Sequence, residues 1–593
     1  MFFGAYLGPE AQIDPWRKAV EQHATWLGLR FTTSIASQPP GNVFACAWLA
    51  VPDLVSHPHV QAFDDVIEVG TRCDIPGGAP WQPRSNPFDT NEARLRMGVS
   101  SGELTVMLQP LSPEHLFNST TTHGIALSND LRLLIRMTGL DLDERAVFSL
   151  LQYGTVLPPF SISRQIQRIP NGHTLRAKMQ SGALNIDVRL DVPLQREPIS
   201  QGINAATAVR GTMDGLLERV PRGSGLVFSG GVDSGLMAAR LAALGRNDVQ
   251  LINFSFGPDD RESNLARDMA AHLGLRCAHI PYDDTGFMDV LWRATEDYSF
   301  PFSDYSVLPM NMMIHAALGP NVQVPCLIDG SGADDLFGIG LKYPGWRRLY
   351  KLSHATRSAV AGMYQSGGMW QRNSRVARVG RVVRRSAQMP LLQAGAMAQN
   401  SLDGIAYLTP QTARDQLDDA FVSYRYPVVR QLPPADQFAT LMTINESTGR
   451  VAAKSYDPLR RRGIRSYSPF LEPAMVRLAL SLPWNVKSAR GKPKSILKGL
   501  LADQVPSEMV YRRKSGFIPP YESILASQPM QSYLREIVLS PSSPLAPYFD
   551  RAVVERMVDH AQEWKRLNLE VYYFFLWTLI FLTAWLYPLH HRA

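Results

Sequence analysis

The sequence predicts two domains: an α+β domain over residues 1–195 and, over residues 205–593, an α/β domain with a parallel sheet and added helices. A chain of 593 residues is longer than one typical domain. Up to about residue 195, short β-like runs are broken by Gly, Pro and Asn. After Gly225, strands alternate with helix-length segments, which is typical of parallel βαβ units.

In the first domain, two runs have the alternating character of strands, ELTVMLQPL (residues 103–111) and HGIALSND (residues 123–130). A helical pattern extends from Asp143 to Gln152. Residues 196–206 are polar and rich in turn formers, so we interpret them as the linker.

In the second domain, GLVF (residues 225–228) and VQLINFSFG (residues 249–257) predict strands, and ESNLARDMAAHLG (residues 262–274) predicts a helix. The remainder is mostly helical in pattern and contains no internal repeat. The domain is therefore a parallel sheet that carries many helices.

Composition limits the class of protein. Apolar residues make up 45% and charged residues 19%, as in ordinary globular proteins. The net charge of +7 suits an anionic ligand and does not require nucleic acid. The four cysteines have no CxxC spacing, which indicates neither a zinc site nor a disulfide framework. The N-terminus lacks the pattern of a secretory signal, so we expect a cytoplasmic protein.

Two segments allow more than one interpretation. The run at residues 571–589 is chargeless and long enough to cross a bilayer; we expect a buried helix ended by Pro588, with contact to a membrane or partner as the alternative. From Lys351 to Leu402 there is no acidic residue. Arginines recur there at near-helical spacing, either on a solvated face or on a docking surface for an acidic partner. They are Arg372, Arg375, Arg378, Arg381, Arg384 and Arg385.

The hexapeptide SGGVDS (residues 229–234) lies between a predicted strand and a predicted helix, where parallel sheets bind their ligands. Gly230 and Gly231 let the backbone approach a phosphate, and the following helix N-terminus favours an anion. Asp233 would repel bare phosphate, so its presence implies a cation such as Mg²⁺. The loop therefore predicts a magnesium–phosphate site.

SGGxDS resembles the pyrophosphate loop of the ATP pyrophosphatases, which have an adenine nucleotide α-hydrolase-like fold. A second apolar strand leads into the acidic turn CLIDGSGADDLFGIG (residues 326–340), which resembles the SGEGSDE turn of asparagine synthetases, with Asp334 at the magnesium-binding position. Three later segments resemble that family in order, SPFLEPAMVRLALSLP, GKPKSILKGLL and YRRKSGF. The resemblance covers at least residues 225–517.

The first domain resembles the Ntn-type glutaminase sandwich of the same family, through ISRQIQRIPNGHTL (residues 162–175) and HGIALSNDLRLL. Those glutaminases use an N-terminal Cys as nucleophile and base. This sequence reads Met1-Phe2-Phe3-Gly4, and Phe offers no nucleophile. We therefore expect an inactive glutaminase-like domain that serves as a scaffold.

Two kinds of enzyme that share these motifs take their amine from the substrate itself. They are the β-lactam synthetases and the lasso peptide cyclases, and this sequence resembles both. Ser331 stands where β-lactam synthetases carry a catalytic Tyr and asparagine synthetases carry Glu. The length, the Trp-containing C-terminal helix and the Arg stretch favour the cyclase. The resemblance thus implies a macrolactam synthetase that uses ATP and Mg²⁺ on a ribosomal precursor peptide, with a leader-binding protease as partner.

The candidate site follows from these motifs. Lys514, in YRRKSGF, matches the catalytic Lys of the family, and Glu446 is our candidate base, with Asp329 as the alternative. Asp233 and Asp334 would bind magnesium. The candidates for ATP and pyrophosphate binding are Phe228, Ser229, Gly230, Gly231, Asp233, Ser234, Phe254, Ser255, Gly330 and Lys494.

Three other functions remain open. A small-molecule amide ligase of the β-lactam synthetase or asparagine synthetase type would show pyrophosphate exchange with a free amino acid. A tRNA-modifying enzyme shares the loop, but the basic stretch has almost no interleaved aromatics, so we expect no nucleic-acid partner. A silent scaffold would not need the intact loop and acidic turn.

Overall fold

A computed structural model gives the architecture. It describes residues 2–38, 42–50, 60–63, 66–70, 94–98, 101–121, 124–181, 183–191, 193–197, 204–257, 260–282, 286–318, 324–366, 375–399, 402–512, 521–560 and 570–591. The domain limits given above stay a prediction, but the architecture changes near the predicted linker, from antiparallel to parallel sheets.

The N-terminal part contains two six-stranded antiparallel sheets. The first has the spatial order Gln167–Arg168, Phe117–Thr120, Ile125–Ser128, Phe2–Pro9, Asn42–Ala50 and Arg30–Gln38. The second has the order Ala183–Leu190, His173–Gln180, Glu103–Met107, Arg94–Gly98, Val66–Gly70 and Val60–Phe63. Inward-facing side chains of both sheets share one core, including Phe3, Phe44, Leu104 and Leu175.

Cys46 lies in this core with 2% of its surface exposed, and burial raises the pKa of its thiol. The predicted strands at residues 103–111 and 123–130 correspond to Glu103–Met107 and Ile125–Ser128. The predicted helix corresponds to Glu144–Tyr153, where the Asp143 side chain accepts a hydrogen bond from Arg145 N as an N-cap.

The parallel sheet predicted after Gly225 is confirmed. Its strands lie in the order Cys277–Pro281, Gln250–Ser255, Gly225–Val227, Cys326–Ile328 and Arg465–Tyr467, all parallel. The central strand, Gly225–Val227, is the first of the five in the chain. The second and third strands lie on one side of it and the fourth and fifth on the other, so the strand order reverses there. Ligands bind in the crevice that such a reversal opens at the carboxyl ends of the strands.

Helices surround the sheet and fill the C-terminal part. The α-helices are Asp14–Leu27, Leu131–Thr138, Glu144–Tyr153, Ala205–Glu218, Val232–Ala243, Arg261–His272, Phe287–Asp297, Val307–Ala317, Ala333–Phe337, Tyr343–Leu349, His354–Ser366, Arg375–Gln388, Leu392–Met397, Gln411–Ala420, Tyr426–Val429, Pro434–Met442, Ala453–Arg461, Pro473–Ser481, Trp484–Lys487, Ser495–Ala502, Ser507–Val510, Tyr521–Ala526, Gln528–Tyr533, Arg551–Asp559 and Glu570–His591. The π-helices are Phe421–Arg425, Thr443–Val451 and Leu534–Val538.

The apolar C-terminal run forms the helix Glu570–His591, which is long and apolar enough to cross a membrane. In the structure 83% of its most apolar window is buried, as the expectation of a core helix requires. Trp585 Nε1 donates to the carbonyl of Tyr298 at 2.9 Å. The expectation that Pro588 ends the helix is wrong, because Pro588 lies inside it. Proline has no backbone N–H, so the helix lacks one hydrogen bond there, but Leu589 beyond it is still buried.

The acid-free Arg stretch forms much of the helix Arg375–Gln388. A solvated face is the wrong interpretation for Arg384, which is 6% exposed and donates to the carbonyl of Asp403. Arg385 also turns inward, with Nη1 at 3.1 Å from the carbonyl of Ala398. Arg372 lies outside the described residues. The alternative of a docking surface stays a prediction.

Candidate active site

The SGGVDS loop follows the central strand and leads into the helix Val232–Ala243. Gly230 has a φ of +66°, and a Cβ there would lie 2.9 Å from the backbone of Ala266, so only glycine fits. Ser229 and Ser234 pair through their hydroxyls at 3.2 Å. The helix N-cap, Gly231, has no side chain to cap the first amides of the helix, and uncapped amides at a helix N-terminus suit an anion.

The acidic turn follows the neighbouring strand, Cys326–Ile328. Gly332 has a φ of +93° and packs against Leu471. A Cβ on Gly330 would lie 3.3 Å from Cβ of Asp233, so this turn and the SGGVDS loop are in contact. The switch in strand order thus brings the two motifs to one edge of the sheet.

Lys494 bridges the carboxylates of Asp233 and Asp334. Its Nζ lies 2.7 and 2.6 Å from the Asp233 oxygens and 2.7 Å from Asp334 Oδ1. Lys494 is 6% exposed; burial opposes its charge, but the two carboxylates outweigh burial and raise its pKa. The structure therefore brings three predicted residues to one point.

The carboxylates of Asp233 and Asp334 fit Mg²⁺, because hard carboxylate oxygens from two loops converge on the position that the ammonium group of Lys494 occupies. Across the described residues there is no cluster of three or more His, Cys, Asp and Glu side chains that could hold a metal. The remaining ligands of a magnesium ion would have to be phosphate oxygens and water, as is usual for magnesium at nucleotide sites.

A cavity of about 280 Å³ opens beside these residues. Of the predicted residues, Ser229, Asp233, Ser234, Asp329, Gly330, Asp334 and Glu446 line it. Phe228 is buried below the loop with 1% exposed. Phe254 and Ser255 end the adjacent strand, Gln250–Ser255, outside this lining, where Phe254 stacks edge-on against Phe256.

Lys514 lies outside the described residues. The nearest described residue before it, Arg512, donates from Nη2 to the carbonyl of Gly230 at 3.2 Å. Asp329 is described, and three donors occupy its carboxylate: the amide of Ser331 and the hydroxyls of Ser455 and Ser468. These three hydrogen bonds hold the Asp329 carboxylate in place within the acidic turn.

Glu446 lies on the π-helix Thr443–Val451, which borders the cavity. Such helices are rare and often lie at functional sites. Glu446 Oε2 is 3.4 Å from Arg450 Nη2, and its side chain is 30% exposed. It faces the cavity and remains accessible to a substrate.

Asp335, which was not among the predicted residues, is buried and accepts a 2.5 Å hydrogen bond from Ser447 Oγ. Burial, and then the charge of Glu446, raise the pKa of Asp335, which favours its protonated form. Lys454, bound to Asp304 at 3.1 Å, also lines the cavity. The adjacent acidic pair at residues 334–335 was the available signal for Asp335.

Comparison with known proteins agrees with this geometry. Residues 216–586 match the family model described as asparagine synthase, which spans both motifs and Lys494. A putative glutamine-hydrolyzing asparagine synthetase of Mycobacterium tuberculosis is 25% identical over 82% of this chain and 74% of its own length. A glutamine-hydrolyzing asparagine synthetase of Bacillus subtilis is 20% identical over 80% and 74%. A glutamine phosphoribosylpyrophosphate amidotransferase from B. subtilis overlaps 47% of this chain with a TM-score of 0.21 and 10% identity, too low to support an argument.

Proposed function

This chain belongs to the asparagine synthase family, whose members are ATP-dependent, AMP-forming carbon–nitrogen ligases, and from that premise we propose that it is a macrolactam synthetase. It adenylates an Asp or Glu side chain of a ribosomal precursor peptide after removal of the leader. The N-terminal amine of that peptide then closes the ring, as in lasso peptide biosynthesis. A leader-binding protease would deliver the peptide.

One observation carries the proposal. The SGGVDS loop and the acidic turn bring Asp233 and Asp334 together at the ammonium group of Lys494, and Glu446 lines the adjacent cavity. In the first step a substrate carboxylate oxygen attacks the α-phosphorus of ATP, and pyrophosphate leaves. The amides that begin the helix after Gly231, together with the hydroxyls of Ser229 and Ser234, would hold that pyrophosphate. Bound Mg²⁺, held by Asp233 and Asp334, would neutralise phosphate charge.

In the second step the amine attacks the acyl carbon, the carbonyl oxygen takes negative charge, and AMP leaves as the amide forms. Glu446 is the candidate acceptor for the proton that the amine loses. The buried Asp335 accepts a hydrogen bond from Ser447 and borders the same cavity, and its raised pKa favours the neutral form, which adds no second negative charge beside Glu446. Lys514 would stabilise the charge that develops on the oxygens, as the family motif implies.

The burial of Cys46 favours an amine from the substrate itself over ammonia from glutamine. In the described part of the N-terminal sandwich this thiol is packed between the two sheets, and its raised pKa opposes a thiolate. Ring closure also gains from holding amine and carbonyl in one site.

The test is incubation of the full chain with Mg-ATP, the partner protease and a linear peptide that has an N-terminal Gly and a downstream Asp or Glu. A product lighter by one water, formed with AMP and lost in Asp233→Ala, supports the proposal. AMP release with no dehydrated peptide would count against it.

The second candidate is a small-molecule amide ligase of the asparagine synthetase type, which the names of the curated relatives favour. It predicts pyrophosphate exchange into ATP with free aspartate and no peptide. Exchange that requires the peptide would exclude it.

A further inference from the structure

Lys454 is the one cationic side chain that the described residues contribute to the lining of the cavity beside the SGGVDS loop. It lies on the helix Ala453–Arg461, just after the π-helix that carries Glu446. The other charged groups of that lining are carboxylates. They belong to Asp233, Asp329, Asp334, Asp335 and Glu446. A negatively charged substrate group that enters the cavity is therefore attracted to Lys454.

Two buried groups hold the ammonium group of Lys454 in place. Its Nζ donates to Asp304 Oδ1 at 3.1 Å and to Ser306 Oγ at 2.6 Å. An ammonium group has three N–H bonds, and within the described part of the chain no acceptor takes the third. Lys454 thus has a fixed position at the cavity and one N–H left for a ligand.

The backbone around Lys454 is fixed against the acidic turn. The hydroxyl of Tyr298 donates to the carbonyl of Lys454 at 3.0 Å. The next residue, Ser455, donates from Oγ to Asp329 Oδ2 at 2.7 Å, and Asp329 begins the turn that carries Asp334. Lys454 therefore lies beside the edge of the sheet where Asp233 and Asp334 meet.

Lys454 and Glu446 are the two ends of a row of alternating charges. Asp304 contacts Lys454 through Oδ1, and its Oδ2 lies 3.3 Å from Arg450 Nη1. Arg450 Nη2 in turn lies 3.4 Å from Glu446 Oε2. Burial opposes the charge of Asp304, but Lys454 and Arg450 outweigh burial and lower its pKa. The row presents a cation at one end and an anion at the other, and both ends line the same cavity.

We propose that Lys454 binds the substrate carboxylate that becomes adenylated, and that its third N–H donates to one oxygen of that carboxylate. This inference rests on the proposed function, because it assigns the two ends of the row to the two reacting groups, the carboxylate to Lys454 and the amine to Glu446. The carboxylate must approach the α-phosphate of ATP although both are anions, and a fixed ammonium group reduces their repulsion. An amide of the same shape gains less from a cation, so the site selects the acid over the amide.

The test changes Lys454 and the ligand separately. Titration calorimetry measures how the full chain, with magnesium and α,β-methylene-ATP, binds a linear peptide that has an N-terminal Gly and one Asp, and the same peptide with Asn in place of that Asp. The ATP analogue cannot release pyrophosphate, so binding is measured without reaction. The wild type should bind the acid about 10-fold to 100-fold more tightly than the amide, as a hydrogen bond to a charged group allows. Lys454→Met should reduce this ratio to about 2 or less.

Lys487→Met is the matched control. Lys487 is also buried and pairs with Asp436 at 3.2 Å, but it lies outside the lining of the cavity, so this variant should keep the wild-type ratio. Lys454→Arg keeps a positive charge at the cavity and should retain part of the ratio.

Lys454→Met should fold, because Asp304 keeps Arg450 as a cation at 3.3 Å and the Ser306 hydroxyl as a donor at 2.7 Å. Its melting temperature checks this. If the variant does not fold, Ser306→Ala takes its place, since it removes one of the two groups that hold the ammonium group, and it should also lower the ratio.

A wild-type ratio in Lys454→Met, or an equal loss of affinity for both peptides, would refute the role of Lys454, since a purely structural defect does not distinguish acid from amide. If the wild type binds neither peptide, the proposed function fails, and the same measurement is made with free aspartate and asparagine. A preference for aspartate that Lys454→Met abolishes would then still support the carboxylate site. No preference for aspartate in the wild type, or one that survives in Lys454→Met, would overturn it.

Discussion

Lys494 should compete with magnesium for the carboxylates of Asp233 and Asp334. We consider Lys494→Met, which keeps the length of the side chain and removes its charge. In the structure Nζ lies 2.7 Å or less from oxygens of both Asp233 and Asp334, so these oxygens are at most about 5.4 Å apart. Without the ammonium, two carboxylates face each other across that distance.

Two unit charges about 5.4 Å apart repel by about 3 kcal/mol at an effective dielectric constant of about 20. The side chain of Asp334 is 63% exposed, so solvent screening reduces this repulsion. Relief of 3 kcal/mol by a bound cation corresponds to about a 100-fold change in affinity. We therefore expect Lys494→Met to bind Mg²⁺ without nucleotide between a few-fold and 100-fold more tightly than the wild type.

The assay is titration calorimetry of Mg²⁺ in the absence of ATP, with Lys494→Met/Asp233→Asn as the control that removes one of the two carboxylates. The control should return the affinity to the wild-type level or below. The same Lys494→Met protein should lose pyrophosphate exchange, since the ammonium no longer reaches the phosphate site. If Lys494→Met binds magnesium no better than the wild type, the convergence of the two carboxylates on a metal position is refuted.

Three further outcomes are expected. Asp233→Asn should lower pyrophosphate exchange about 100-fold or more with unchanged melting temperature, and exchange within tenfold of wild type would contradict a metal-binding role. Gly230→Ala should lose ATP-induced thermal protection, because its Cβ would meet the backbone of a neighbouring helix; Gly245→Ala, with a similar φ of +68° and open space around it, should keep protection. Burial lowers the pKa of Lys487, paired with Asp436, to about 8, so the unfolded chain binds more protons above that pH. Stability should therefore rise with pH between about 8 and 10.5, by at most about 3 kcal/mol in denaturant titrations, and Lys487→Met should lack this rise.

The amino-acid sequence by itself was enough to predict the parallel sheet, the SGGVDS loop and the acidic turn. Each depends on neighbours in the chain: an apolar strand, glycines where φ is positive, and a helix that starts directly afterwards. Once a parallel sheet is expected, the meeting of Asp233 and Asp334 at its carboxyl edge follows from topology.

Only the tertiary structure decided which distant side chains complete the site. Lys494 comes from a segment far along the chain to bridge Asp233 and Asp334, and Ser447 reaches the buried Asp335 from a π-helix. The fate of the C-terminal run was also tertiary, since an apolar helix of that length suits a membrane or a core equally well. Local pattern records the periodicity of one segment, whereas burial and charge pairing depend on what the rest of the chain packs against it.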